Sequence, residues 1–296
     1  MNKEKYWIWL SRLGNEIEPI VLKKLLDEYK MPDKIWKLTK TKLKKIGIKQ
    51  EHVDVILNKK YKENLEVYEK YLLENNIEIL TIYDKFYPEK LKHIYDPPIV
   101  LYLKGDKNIL NNLSLAIIGS RNCSFYGMQV AKDIAKNLSK YEINITSGLA
   151  RGIDASAHIG SLSGNGKTVA VLGTGLDTIY PAENKELANK IIKTGGAIIS
   201  EFIVGSAIKK TNFPKRNRII SGMSDGVLVV EAAKQSGTFI TVDYALEQGK
   251  TVYAVPGNIT SINSYGTNEL IKDGAKMVTN LKDILEDYRF TIDMSQ

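Results

Sequence analysis

The sequence predicts an α/β protein with a Rossmann-like, doubly wound, mainly parallel sheet, preceded by a small all-helical domain. From residue 76 onwards, nine short apolar runs alternate with amphipathic segments of helical length. Most of these runs end in glycine or a polar turn, as strands do where they lead into helices. Residues 1–75 instead carry apolar side chains at helical spacing and no alternating β-branched run. We therefore expect a helical domain over 1–75, an α/β domain over 76–280, and a C-terminal helix with a short tail over 281–296.

The composition is that of an ordinary globular protein. The chain has 296 residues, of which 43% are hydrophobic and 26% charged, enough for one large domain and a smaller one. Its net charge of +8 favours an anionic partner without identifying it. A single cysteine, Cys123, excludes an internal disulfide framework and a cysteine-based zinc site. No apolar run approaches the ~20 residues of a membrane span and no signal peptide is recognisable, so we expect a cytoplasmic protein.

The first domain contains one motif of possible functional interest. Leu43–Lys49 followed by Glu51–Leu57 resembles a helix-hairpin-helix, in which a glycine turn offers backbone N–H groups to a DNA phosphate. The turn glycine is Gly47, but the second glycine of that motif is replaced by Lys49. The pattern therefore favours two packed helices, with an accessory phosphate contact as the alternative.

The α/β region predicts where a ligand binds. Continuous apolar strands alternating with helices indicate a parallel sheet covered on both faces, and such sheets bind ligands outside the carboxyl ends of their strands. The predicted strands are Ile77–Ile82, Ile99–Leu103, Leu115–Gly119, Ile143–Thr146, Thr168–Gly173, Ala197–Ser200, Val227–Glu231, Thr251–Pro256 and Lys276–Thr279. The clearest predicted helices are Tyr126–Lys140, Asn184–Lys193, Phe239–Gln248 and Leu281–Tyr288.

Four of the predicted strand ends are rich in glycine and small hydroxyl residues. They are residues 119–121 (GSR), 147–152 (SGLARG), 173–175 (GTG) and 236–238 (SGT). Flexible backbone and N-cap residues at strand-to-helix junctions are suited to cradling phosphates, so Gly119, Ser120, Gly148, Gly237 and Thr238 are candidate ligands. Arg121 is the strongest candidate, because a guanidinium can donate two parallel hydrogen bonds to one phosphate. Its alternative role is a salt bridge to a neighbouring loop.

A basic stretch, residues 209–220 (KKTNFPKRNRII), adds charge to this edge. No acidic residue lies between Glu201 and Asp225, and the cations are interleaved with groups that stack on or hydrogen-bond to a nucleotide. The cations are Lys209, Lys210, Lys215, Arg216 and Arg218, and the interleaved residues include Phe213 and Asn217. A solvated loop leading into a helix is the simpler alternative.

Enzymatic and cofactor motifs are not convincing. Residues 164–168 (GNGKT) end like a phosphate-binding loop, but the first glycine position is Ser161 and a strand follows. Residues 173–175 begin like a dinucleotide fingerprint, but the third glycine position is Thr178. The three histidines show no metal-ligand spacing, and His158 with Asp154 is more typical of a pair that orders a loop. Glu231 and Asp177 are the remaining acidic residues at the edge of the sheet where a ligand is expected. There they would contact a sugar hydroxyl or hold Arg216 or Arg218 in place. We therefore expect no cofactor, no metal and no catalytic residue.

The motifs occur together in a recognisable order. Besides Gly119-Ser120-Arg121, they are SGLARGIDASAH (147–158), LGTGLDTIYPAEN (172–184), NFPKRNRIISGMS (212–224), VVEAAKQSGTFIT (229–241) and AVPGN (254–258). This series resembles the DNA-processing protein A (DprA/Smf) family from about residue 78 to 280. The resemblance implies an N-terminal SAM-like domain and a homodimer that is not an enzyme. It also implies binding of single-stranded DNA during natural transformation, displacement of single-strand-binding protein and loading of the RecA recombinase.

The same resemblance assigns roles to the candidate residues. Gly119, Ser120 and Arg121, with Lys215, Arg216 and Arg218, would hold DNA phosphates, and Phe213 or Asn217 would contact a base. Lys210, Gly148, Gly237 and Thr238 complete the predicted nucleic-acid site. Two departures affect the expectation. The loop 205–211 lacks the proline-rich approach that is usual in the family, and the sequence leaves no room for the C-terminal winged-helix domain of many members.

Two other functions are weighed against DNA binding. The fold also resembles that of nucleoside-monophosphate phosphoribohydrolases, the lysine-decarboxylase-like enzymes, which carry a Pro-Gly-Gly-x-Gly-Thr turn and paired glutamates. Here the corresponding turn is residues 235–241 (QSGTFIT), without the prolines or the acids. A protein adaptor with a decayed DNA site is the other alternative, and the intact basic stretch argues against it.

Overall fold

One sheet of nine strands organises the computed structural model, which describes the backbone of residues 4–293 and the side chains of residues 4–288. Each strand overlaps one of the nine predicted apolar runs. The strands are β1 (Glu78–Thr81), β2 (Val100–Gly105), β3 (Ser114–Ile118), β4 (Asn144–Ser147), β5 (Thr168–Val171), β6 (Ala197–Ser200), β7 (Gly226–Val229), β8 (Thr251–Ala254) and β9 (Lys276–Met277).

The strand order is β1-β2-β6-β5-β4-β3-β7-β8-β9. In this order the first two strands, β1 and β2, pair antiparallel with their neighbours. The other seven strands, β6-β5-β4-β3-β7-β8-β9, pair parallel with one another. From β3 the chain adds β4, β5 and β6 on one side, and then returns to place β7 on the other side of β3. The crevice at the carboxyl ends of β3 and β7 is therefore the topological switch point, where doubly wound sheets bind ligands.

Helices cover both faces of the sheet. Alternate residues of β3 enter opposite cores, because side chains alternate along a strand: Leu115 and Ile117 pack on one side, Ala116 and Ile118 on the other. The helices after β1 are α7 (Glu89–Lys92), α8 (Phe125–Leu138), α9 (Ile153–Ser163), α10 (Lys185–Lys193), α11 (Asn212–Met223), α12 (Thr238–Glu247), α13 (Tyr265–Lys272) and α14 (Lys282–Asp293). The first core contains side chains of α8, α9 and α14, and the second contains side chains of α11 and α12. The predicted fold class is confirmed.

Residues 4–75 contain helices and no strand, as predicted. These helices are α1 (Glu4–Leu13), α2 (Pro19–Tyr29), α3 (Pro32–Trp36), α4 (Lys40–Lys45), α5 (Gln50–Leu57) and α6 (Leu65–Glu74). Proline at the first position of α2 costs no hydrogen bond, because that N–H has no partner in a helix. The motif at residues 43–57 forms two helices, α4 and α5, joined by a turn in which Gly47 has a φ of 80°.

The helical region packs directly against the sheet. Ser11 Oγ lies 2.5 Å from the hydroxyl of Tyr102 in β2, and the Tyr83 hydroxyl donates to the carbonyl of Leu26 at 3.2 Å. Its buried apolar side chains, Trp9 among them, join the same core as those of β2 and α11. The domain boundary near residue 75 stays a prediction.

The C-terminal helix α14 extends to Asp293, beyond the predicted end at Tyr288. Tyr288 is buried, and its hydroxyl donates to the carbonyl of Ser114 at the start of β3, 3.2 Å away. The last three residues of the predicted tail, 294–296, lie outside the described residues. Within residues 4–293, no helix combines the length and the apolar character that crossing a membrane requires.

Candidate functional site

An open cleft of about 380 Å³ lies at the topological switch point. Its walls are residues 118–122 after β3, residues 233–238 after β7, and side chains of α11 and α12. Eight of the predicted site residues line it: Gly119, Ser120, Arg121, Phe213, Arg216, Asn217, Gly237 and Thr238. The sequence motifs, which are separated by up to about a hundred residues, therefore meet at the predicted edge of the sheet.

The turn after β3 is held in a fixed shape. A Cβ on Gly119 would lie 2.6 Å from Ile153 Cγ1 and 2.9 Å from the carbonyl oxygen of Glu231, so only glycine fits there. The Ser120 amide donates to the same Glu231 carbonyl at 2.8 Å. The Ser120 hydroxyl accepts a hydrogen bond from the Asn122 amide at 3.2 Å, so both neighbours of Arg121 are anchored.

Arg121 projects from this turn as an exposed cation. Its guanidinium carbon lies 5.9 Å from the centre of the Phe213 ring, within the range of a cation–π contact. It forms no ion pair with any side chain of residues 4–288, so its alternative role as a salt-bridge partner finds no support. A charged, solvent-facing guanidinium beside an aromatic ring is therefore available to an anionic ligand.

Phe213 stands at the start of α11, between the cleft and a smaller neighbouring pocket. Its ring packs so closely on Gly173 that a Cβ there would lie 2.8 Å from Phe213 Cδ1. The Tyr180 ring lies 5.4 Å away, centre to centre. Gly173 thus serves to admit the aromatic ring, which is half-buried and faces both cavities.

Arg216, which was predicted to hold a DNA phosphate, lines the cleft, but only 4% of the residue is exposed. Its Nη1 donates to the carbonyl of Gly148 at 2.7 Å and also to the carbonyl of Val171. Burial lowers the pKa of Arg216 to about 10, with the charge of Asp154 opposing the shift, so the guanidinium is protonated at pH 7. Arg216 forms the floor of the cleft and is held by the protein itself.

Gly148 and Asp154 complete this buried arrangement. A Cβ on Gly148 would lie 2.6 Å from Arg216 Nη2, so the glycine makes room for the arginine, and we correct its predicted role as a phosphate ligand. Asp154 accepts hydrogen bonds from the amides of Gly148 and Ala150 at 3.1 and 3.4 Å. Burial raises the pKa of Asp154, and Arg216 opposes that shift. His158 does not pair with Asp154.

His158 bonds to a different partner: its Nδ1 lies 2.7 Å from Thr168 Oγ1 in β5. Burial lowers the pKa of His158 to about 3, so the imidazole is neutral at pH 7. The residue has a structural position and does not reach the cleft.

The predicted role of Arg218 also requires a correction. It is 1% exposed and its guanidinium is shared between two carboxylates: Nε lies 2.8 Å from Asp96 Oδ2, and Nη1 and Nη2 lie 2.7 and 2.8 Å from the two oxygens of Glu201. Burial alone would lower the pKa of Arg218, but Glu201 and Asp96 raise it above the ordinary value. With its donors occupied and its surface covered, Arg218 cannot bind a phosphate in this structure.

The lysines of the basic stretch also lie in different places in the structure. Lys215 points away from the cleft, and its Nζ donates to the carbonyl of Gly14 in the α1–α2 loop at 3.0 Å. We therefore correct its predicted place in the phosphate site. Lys209 and Lys210 precede α11, are exposed, and form no ion pair within the described part of the chain. Because residues 212–223 are helical, the cations that adjoin in sequence point in different directions.

The opposite wall is the start of α12. Gly237 occupies the N-cap position, where a Cβ would meet nothing within 4 Å, so the backbone is open to the cleft. The Ser236 hydroxyl donates to Thr238 Oγ1 at 2.8 Å and accepts from the Thr238 amide at 3.2 Å. The N-terminus of a helix favours an anion, and this one lines the same cleft as Arg121.

Five polar residues of the lining are absent from the predicted site: Asn122, Asp154, Gln235, Ser236 and Thr241. Asn122 and Ser236 directly adjoin predicted residues, so proximity to a motif was the available signal. The two acidic residues whose role was left open both accept hydrogen bonds from backbone amides. Glu231 accepts from the amide and hydroxyl of Ser124 at 2.8 and 2.5 Å, which fixes the start of α8, and Asp177 accepts from the Gly205 amide at 3.0 Å. Neither holds Arg216 or Arg218. Among the described residues no group of histidine, cysteine and acidic side chains is placed to hold a metal ion.

Comparison with known proteins gives a consistent result. The sequence profile of the family described as DNA recombination-mediator protein A matches residues 78–289. Protein Smf of Escherichia coli is 44% identical over 220 residues, which are 74% of this chain and 59% of that protein. DNA processing protein DprA of Streptococcus pneumoniae is 43% identical over 210 residues, 71% of this chain and 74% of the relative.

The fold is shared with solved structures, among them two of DNA processing protein A. DNA processing protein A from Streptococcus pneumoniae superposes with a TM-score of 0.75 and 34% identity, covering 95% of this chain and 97% of that one. DNA processing protein A from Helicobacter pylori, studied for its single-stranded DNA binding mode, gives a TM-score of 0.66 and 29% identity, covering 73% of this chain and 96% of that one. The resemblance predicted from the sequence motifs is confirmed.

Proposed function

This chain belongs to the DNA recombination-mediator protein A family, and from that membership we propose that its cleft binds single-stranded DNA during natural transformation. The role is DNA processing by binding, with no catalytic step. The Helicobacter pylori relative, described as binding single-stranded DNA, supports the choice of ligand. This chain covers 59% of the length of the E. coli relative.

The observation that carries this proposal is the pairing of Arg121 with Phe213. The exposed guanidinium supplies charge for a phosphate, and the adjacent ring offers a face to a base. The N-terminus of α12 at Gly237 and the buried charge of Arg216 add positive potential around the same cleft. Such a site contacts features that every nucleotide has, so we expect binding that tolerates any sequence.

The partners of this activity are part of the proposal. The resemblance to the family supports a homodimer in the cytoplasm that displaces single-strand-binding protein and loads RecA onto the bound strand. Lys209 and Lys210, exposed at the entry to α11, would extend the path of the strand beyond the cleft. At the start of the loop that leads to them, the Gly205 amide donates to Asp177 Oδ2 at 3.0 Å.

The test is fluorescence anisotropy with a labelled oligo-dT over a salt series. Wild type should bind with a slope of log affinity against log salt of roughly −0.7 per phosphate contacted. Arg121→Ala should weaken binding about tenfold or more, because it removes the unpaired cation, and should leave thermal stability unchanged, because the side chain is exposed and pairs with no acid.

Lys193→Ala provides the matched control. It removes one exposed positive charge on α10, away from the cleft, and should leave the affinity within about twofold of wild type. Equal affinities of wild type and Arg121→Ala would move the site elsewhere on the protein. Absence of any binding at low salt would contradict the proposed function itself.

A further inference from the structure

A second basic surface lies in the helical region, outside the cleft. Residues 30–49 contain eight lysines and a single acidic residue, Asp33. All eight lysines are exposed. We refer to them together as the lysine surface: Lys30, Lys34, Lys37, Lys40, Lys42, Lys44, Lys45 and Lys49.

The lysine surface is not neutralised by the protein. Seven of its lysines form no ion pair with any described side chain, and the eighth, Lys49, has its Nζ 4.0 Å from Glu51 Oε1. The other acid nearby on α5, Asp54, accepts a hydrogen bond from Gln50 at 2.6 Å. Protein surfaces normally intersperse charges of both signs, because like charges repel. A polyanion bound here would relieve that repulsion.

The scaffold beneath the lysines keeps them facing outward. Ile35 of α3, Leu43 of α4 and Ile48 of the following turn are buried, which fixes each segment against the core of the helical region. At the tip between α4 and α5, Gly47 has open space around it. The charges are thus presented on anchored helices and turns.

The chemistry of the surface distinguishes among anionic partners. Residues 30–49 expose no large apolar side chain, whereas the centre of a protein–protein interface is apolar. Trp36, the aromatic residue of α3, is half-buried against Trp9 and Tyr6, with ring centres 5.1 and 5.4 Å away. Lys62 Nζ also lies 4.5 Å from the centre of the Trp36 ring, so this ring already packs against the protein instead of being presented to an unpaired base. Phosphates are therefore the fitting ligands, and duplex DNA presents them at the highest linear density.

We propose that the lysine surface is a second nucleic-acid-binding site, which binds the phosphate backbone of double-stranded DNA. It is separate from the cleft, whose lining comes entirely from residues 118–241. The two sites recognise different features: the cleft combines a cation with an aromatic face, and the lysine surface offers charge alone. A protein that has both sites would bind DNA at a junction between a single strand and a duplex.

The experiment compares wild type with a variant carrying Lys40→Gln, Lys42→Gln, Lys44→Gln and Lys45→Gln. Anisotropy is measured with a labelled 20-base-pair duplex of mixed sequence and with a six-nucleotide oligo-dT, both over a salt series. The variant should bind the duplex at least about tenfold more weakly at low salt. Its slope against log salt should be shallower by about 0.9 for each phosphate that the protein no longer neutralises. Its affinity for the short oligo-dT should not change.

The matched control replaces Lys136, Lys140, Lys190 and Lys193 with glutamine, which removes the same charge from exposed positions on or beside α8 and α10. Circular dichroism checks that both variants are folded, and Lys30→Gln with Lys34→Gln and Lys37→Gln serves as a second patch variant. An equal loss of duplex binding in the control, or undiminished duplex binding in both patch variants, would overturn the proposal. Competition by poly-glutamate as effective as that by duplex would also overturn it, in favour of an acidic protein partner. If wild type does not bind oligo-dT, that result would instead contradict the proposed function of the cleft.

Discussion

Arg121 is exposed and unpaired, Arg216 is buried beneath Gly148, and Arg218 is buried between Glu201 and Asp96. All three are arginines of the predicted phosphate site, but a guanidinium serves a ligand only where the ligand can reach it. The other two stabilise the arrangement on which the cleft depends. A loss of DNA binding in a variant of Arg218 would therefore reflect the fold, whereas a loss in a variant of Arg216 would reflect both the fold and the cleft.

Replacement of Arg218 tests this distinction. Arg218→Ala leaves two carboxylates without their partner in a largely buried place, so we expect a loss of about 3–5 kcal/mol in the free energy of unfolding, measured by urea denaturation. The oligo-dT affinity of the fraction that remains folded should stay close to wild type.

Arg151→Ala is the comparison for stability. Arg151 also pairs with a carboxylate, that of Glu183, with Nε 2.6 Å from Oε1, but both side chains are about half exposed. Solvent screens such a pair, and its loss should cost only about 0–1 kcal/mol. Similar losses in the two variants would show that burial does not make the ion pairs of Arg218 more important to stability than an exposed pair.

At the scale of elements, the cleft depends on how the turns after neighbouring strands pack on each other. Gly152, between β4 and α9, has a φ of 74°, and a Cβ there would lie 2.4 Å from the carbonyl oxygen of Ser120 and 2.7 Å from that of Arg121. The turn after β4 thus touches the turn that presents Arg121. The position of the Arg121 guanidinium therefore depends on the turns after both β3 and β4.

Gly152→Ala should therefore affect both stability and binding. The sum of backbone strain and overpacking predicts a loss of about 2–5 kcal/mol in the free energy of unfolding. The displaced Ser120-Arg121 turn should also weaken oligo-dT binding. Urea denaturation and anisotropy measure the two effects separately.

Gly249→Ala is the control for backbone strain alone. Gly249 has a φ of 66°, but a Cβ there would meet nothing within 4 Å. We expect a loss of about 1–2 kcal/mol and unchanged DNA affinity. If the two glycine variants bind oligo-dT equally well, the packing of the strand-end turns does not position Arg121.

At the scale of the whole molecule, the helical region and the sheet share one core. Trp9 and Leu26 belong to the same buried cluster as Leu103 of β2 and Ile219 of α11. Polar contacts reinforce this junction, including the Lys215 bond to Gly14. We expect the two parts to unfold together, although the sequence suggested two domains.

The tryptophans allow a direct test of cooperative unfolding. The chain has three tryptophans, Trp7, Trp9 and Trp36, and all of them lie in the helical region. Tryptophan fluorescence therefore reports on that region alone. Far-UV circular dichroism reports on the whole molecule. Coincident urea transitions by the two probes are expected for a single cooperative unit. A fluorescence transition at clearly lower urea would show that the helical region unfolds independently.

The sequence by itself determined the succession of strands and helices and the residues at the strand ends. β3, for example, is an apolar run followed by Gly119-Ser120-Arg121, and both features are local. Patterns of this kind depend on the pleat of a strand or the turn of a helix, so they can be recognised within a few residues. The location of the cleft followed from these patterns and from the general rule for parallel sheets.

Only the tertiary structure decided which of the predicted cations are available to a ligand. The basic stretch looked unbalanced because its acids are distant in sequence: Asp96 lies 122 residues from Arg218, and Glu201 lies 17. The helical form of α11 then turned Lys215 towards Gly14 and Arg216 towards Gly148, while Arg121 stayed in solvent. Burial and ion pairing depend on residues that folding brings together, and no local pattern contains that information.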